Sequence, residues 1–129
     1  MKNMRILIVE PEQAPEVADI TGSLPEMQQI VGGLIQAVYP FPERVALICN
    51  EEGKMLGLPR NRGLRDEVGN LYDIICGTFF LCGVPPDSDN FASLTPEQIA
   101  QFQERFQLPE AFLNVNGRIL CLPLVSPNE

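Results

Sequence analysis

At 129 residues the chain is long enough for one domain with a real core and too short for two. Its 45% hydrophobic and 20% charged content excludes disorder, and its apolar runs have strand length, far short of a membrane span. Nine Lys and Arg against seventeen Asp and Glu leave a net charge of −8, which argues against direct nucleic-acid binding because phosphates need a basic face. Mimicry of DNA by carboxylates is disfavoured by the scatter of the acids: Glu10, Glu12, Glu16 and Asp19, then Glu51 and Glu52, then Asp66 and Glu67. The N-terminus lacks the apolar core and small-residue cleavage site of a signal peptide, so a cytoplasmic location is expected.

Arg5–Glu10 reads as a first strand. Pro11 and Pro15 bracket a loop, and Glu16–Ile20 alternates weakly enough to be an edge strand. Ser23 and Glu26 have the spacing of a capping box, with Leu24, Met27, Ile30 and Val31 on one helical face and Gly32-Gly33 as the stop. Leu34–Tyr39 and Arg44–Cys49 are expected to pair around Pro40-Phe41-Pro42-Glu43, with Phe41 at the tip. A polar, glycine-punctuated loop follows. Asn70–Cys76 and Thr78–Gly83 are then strand candidates, with Gly77 as a bend.

Leu94-Thr95-Pro96-Glu97-Gln98-Ile99 is the strongest local signal. Thr95 is the N-cap, Pro96 suits the first turn, Gln98 completes the box, and Leu94 staples onto Ile99. Ile99, Phe102 and Phe106 form the helix's buried stripe. In the tail, Asn116-Gly117 between apolar runs is the favoured two-residue hairpin turn. The expected whole is a single α+β domain spanning 1–129: a mixed, mostly antiparallel sheet of about six strands with two helices.

Reactive chemistry is sparse. With no histidine in the chain, Ser-His and Cys-His nucleophile pairs are excluded. Cys49, Cys76, Cys82 and Cys121 form no C-x-x-C pair and read as small hydrophobes rather than a zinc site. Glu51/Glu52 and Asp66/Glu67 are the only carboxylate pairs open to an enzymatic reading, and they fall in polar turns where solvent keeps them ordinary. Gly53, Gly57, Gly63 and Gly69 match no phosphate-binding fingerprint. No cofactor and no metal is implied.

Positive charge gathers only in the central loop, at Arg60, Arg62 and Arg65, with the amide of Asn61 among them. Two guanidinium groups beside an amide can grip a carboxylate or phosphate by forked hydrogen bonds. The competing reading has these arginines pair with Asp66, Glu67 or Asp73 and pin the loop. Asn50 borders the loop, and Tyr39 and Phe41 either offer an aromatic surface for protein contact or self-association or pack into the core.

Three stretches, Val31–Phe41, Val45–Gly53 and Gly57–Arg62, followed by Asp73–Phe80, together resemble a domain-of-unknown-function family. Its members are small proteins and modules carried by phages, plasmids and conjugative elements. The resemblance covers about residues 4–106 and leaves 107–129 as a hairpin extension. It supplies no catalytic residue. It implies an accessory gene of a mobile element, sometimes beside antirestriction modules, and so a counter-defence role by association. The leading expectation is a non-enzymatic protein that engages a host protein through Asn50–Arg65 and the nearby aromatics. The alternative is capture of an anionic nucleotide or signal molecule by Arg60 and Arg62, which an oligomer with this loop at a subunit interface would favour.

Overall fold

Strand β1 (Met4–Val9) anchors a five-stranded antiparallel sheet in the computed structural model, which describes residues 3–124. Its neighbours are β2 (Glu16–Ile20) at one edge and β7 (Phe79–Gly83) within. Beyond β7 lie β4 (Val45–Asn50) and, at the far edge, β3 (Ile35–Val38). Both β4 and β7 are buried along their whole length, which explains their unbroken apolar runs: each residue faces a covered side of the sheet.

Helix α1 (Leu24–Val31) covers one face, where Met27 and Val31 meet Ile6, Ile48 and Phe80. Ser23 Oγ accepts from the Glu26 amide as expected. The Glu26 carboxylate reaches further back than a simple box requires, accepting from the Thr21 amide and hydroxyl and from the Gly22 amide. Gly32 ends the helix at φ 80°, a conformation open to glycine at little strain. Leu24, grouped by spacing with Met27, Ile30 and Val31 on one helical face, is exposed.

On the opposite face, helix α2 (Pro96–Phe106) inserts Phe102 and Phe106 against Leu7, Leu47, Phe79 and Leu81. Both hydrogen bonds of its Thr95–Gln98 capping box are formed. Beside α2, the same face is covered by a two-stranded sheet of β5 (Arg60–Arg65) and β6 (Leu71–Cys76), which contributes Leu64 and Ile75. A last pair, β8 (Glu110–Val115) and β9 (Arg118–Pro123), turns at Asn116 and Gly117, both at positive φ, and lies against β5.

The α+β class, the antiparallel pairing and the two helices agree with the sequence. The described residues hold nine strands in three sheets, where about six in one sheet were expected. Besides the C-terminal pair, the addition is β5, hidden in what reads as a polar loop. Residues 125–129 of the expected extension lie outside the described residues. Among the described residues no helix is long and apolar enough to cross a membrane.

Candidate functional site

The basic segment divides into side chains that hold the fold and side chains that face solvent. A register shift between Arg60 and Arg62 lifts Asn61 out of the β5–β6 ladder. Its amide turns inward and donates to the Val9 carbonyl at 2.8 Å and the Gly77 carbonyl at 2.9 Å. Asn61 thereby ties β5 to β1 and to the bend before β7.

Arg62 is 1% exposed, among the largest fully buried side chains. Its Nε and Nη2 donate to the Phe106 carbonyl at 3.3 and 2.9 Å, and Nη2 also reaches the Gln13 carbonyl at 2.6 Å. Nη1 donates to the backbone and side-chain oxygens of Asn61. Phe106 is the last residue of α2, so the guanidinium lies where the helix dipole favours a cation. Burial lowers the Arg62 pKa from its ordinary value, opposed by the charge of Glu110, and a guanidinium stays protonated regardless.

Arg65 pairs with Glu110 Oε2 at 3.0 Å and donates to the Cys121 carbonyl. The other oxygen of Glu110 accepts from the Gly63 amide at 2.6 Å. A Cβ on Gly63 would stand 2.6 Å from Leu71 Cδ1 and 3.2 Å from Cys121 Sγ, so glycine is what lets the β8–β9 pair approach.

These contacts correct the forked-anion expectation for two of its residues. Arg62 and Asn61 donate inward, and neither is free to meet a ligand. The arginines do pin the segment, but through backbone carbonyls and Glu110 rather than Asp66, Glu67 or Asp73. Asn50 is also structural: buried, it donates to the Val31 carbonyl and accepts from the Glu52 amide. Of the two placements open to Phe41, surface and core, the structure takes the core: at 7% exposure it packs on Phe102 with ring centroids 4.7 Å apart.

Arg60 differs from its neighbours. It is exposed and takes part in none of the three ion pairs among the described residues. It lines an open groove of about 760 Å³ with Leu58, Tyr72, Ile74 and Ile119. Lys54, paired with Asp73, stands in the same groove. On the turn leading to Leu58, Met55 is 75% exposed and Leu56 is also exposed. Lys54, Met55 and Leu56 fall within the expected Asn50–Arg65 segment without being named as site residues, and Tyr72 lies outside it. Tyr72 and Ile74 carried a signal in their alternation along β6, whereas the exposure of Met55 and Leu56 had none.

The carboxylate pairs remain in turns: Glu51, Asp66 and Glu67 are exposed, and Asp66 accepts from the Val68 and Asn70 amides. Cys49 and Cys82 are buried thiols, pushed up to about 11 and about 12 chiefly by desolvation.

Fold and groove together define a two-faced antiparallel α+β domain that exposes a cation, unpaired among the described residues, beside apolar side chains. The chain belongs to the family described as domain of unknown function DUF3846, whose profile matches residues 4–107. Comparison with the curated proteins and with the solved structures returned no match.

Proposed function

We propose that the domain is a non-enzymatic binding module of a mobile-element accessory protein, engaging a host protein through the turn at 51–59, Arg60 and the outer face of β6. A counter-defence role belongs to this reading. The observation that carries it is Arg60: an exposed guanidinium without an ion-pair partner among the described residues, in one groove with the exposed Tyr72 and with Leu58, Ile74 and Ile119. A cation in a groove with an exposed aromatic and half-buried aliphatic side chains suits a protein-contact patch. The partner's complementary group is an acidic side chain, and the neighbouring apolar side chains shield that contact from water.

A second reading rests on Arg60 and Lys54 lining one groove. Two cations over an apolar floor suit a small anion such as a nucleotide. The openness of the groove favours the protein, since small-ligand sites usually enclose most of their ligand.

Native mass spectrometry of protein isolated gently from its host tests both. A stoichiometric protein partner, lost with Arg60→Glu while the thermal midpoint is unchanged, is the expected result. A small added mass lost with the same variant would replace the protein reading with the ligand one. Bare protein in both preparations would overturn both.

A further inference from the structure

A second groove, of about 780 Å³, lies between the turn after β3 and the turn joining β5 to β6. Its walls include Tyr39 and Tyr72, exposed to 61% and 55%, with Pro40 and Pro42 beside them. Flat aromatic and pyrrolidine surfaces at a groove accept extended peptide backbone and aliphatic stems at small entropic cost.

The charges in this groove are unevenly available. Its two arginines are both engaged. Arg65 is bound to Glu110, and the guanidinium of Arg105 lies 4.8 Å from the centre of the Phe41 ring. Its acids are Glu43, Asp66 and Glu67. Asp66 caps its own turn, but Glu67 is exposed, and Glu43 is only half engaged: Oε2 accepts from Gln101 at 2.8 Å, while Oε1 is buried with no donor among the described residues. Oε1 is closed to a partner, so a docking cation meets Glu43 at the outer Oε2, where the bond to Gln101 is exposed; a carboxylate takes a charged N–H donor more strongly than a neutral one.

We propose that this groove docks an extended segment of a partner protein carrying arginine or lysine. The aliphatic stem of the basic residue lies along Tyr39 and Tyr72, and its charged head meets Glu43 and Glu67. The tyrosine faces attract the same cation. The charge of −8 steers a basic segment toward the domain, and the groove selects where it settles. This inference does not rest on the Arg60 groove, which calls for the opposite charge.

The test is a titration of isotope-labelled protein, followed by amide NMR at physiological ionic strength. One synthetic decapeptide alternates arginine with proline, and its counterpart alternates glutamate with proline. The basic peptide is expected to shift the amides of Tyr39, Val68 and Tyr72, with the acidic one silent. The double variant Tyr39→Ala/Tyr72→Ala and the variant Glu43→Gln should each weaken binding by about tenfold, with spectra that remain dispersed. Glu16→Gln, on β2 at the opposite edge of the central sheet, should leave it unchanged. Shifts spread over the acidic surface, an equal response to both peptides, or no response would overturn the proposal. Self-association of the peptide-free protein through Tyr39 and Tyr72 would also overturn it, by giving the groove to a second copy.

Discussion

Arg60 and Arg62 are two residues apart and have the same side chain, yet their environments make them opposites. At Arg62 three backbone carbonyls and one amide oxygen replace the water that a buried guanidinium gives up. Removing it would leave those acceptors unpaired in a closed space and create a cavity. Arg62→Ala is therefore expected to destabilise the domain by roughly 3–5 kcal/mol in chemical denaturation. Arg60→Ala removes no such contacts and should stay within about 0.5 kcal/mol. Equal losses for the two would contradict the division of the segment into structural and exposed halves. That division was not legible in Arg60-Asn61-Arg62, because a residue usually found at the surface gives no sign in sequence that carbonyls from residues 13 and 106 will meet it.

At the scale of elements, legibility followed how local the determining forces are. The start of α2 could be read because Thr95, Pro96 and Gln98 act within four residues of one another. The Asn116-Gly117 turn was readable for the same reason: positive φ is a property of the turn itself. Strand β5 could not be read. Its inward positions are Arg62 and Leu64, so apolar alternation is absent, and the strand exists because β6, β1 and β8 each supply it with partners. The entry to α1 was half readable. Ser23 behaved as its spacing suggests, while Glu26 took Thr21 and Gly22 as its donors.

The Glu26 arrangement carries a pH dependence. Hydrogen bonds from Thr21 chiefly hold its carboxyl below the ordinary 4.5. Because the folded chain binds that proton less readily than the unfolded one, the stabilisation is complete above the ordinary value. It is lost as pH falls through the lower folded value. Thermal midpoints measured from roughly pH 6 to pH 2 should fall less steeply in Glu26→Gln than in the parent chain. Parallel curves would show that the Thr21 hydrogen bonds do not distinguish the two protonation states.

Over the whole molecule, the central sheet is covered on both faces, and the outer elements are joined to it by polar ties as well as by apolar packing. Asn61 reaches β1, Arg65 reaches β8 and β9, and Arg62 spans the greatest range, from Gln13 to Phe106. The bonds from Arg62 to those two carbonyls bridge sequence separations of 49 and 44 residues. Each needs β5 to meet one distant segment, and the complete set needs the segment after β1, β5 and the end of α2 to have come together. In a partly assembled chain the guanidinium is better left in water, so Arg62 works as a latch closed at the end of folding rather than as a nucleus that starts it. Replacing it should quicken unfolding while leaving the refolding rate nearly unchanged, a φ-value close to zero in stopped-flow measurements. A value near one would mean that the three segments meet first around the arginine. The charge that marks this stretch in the sequence is, at Arg62, chiefly a determinant of how long the domain stays folded.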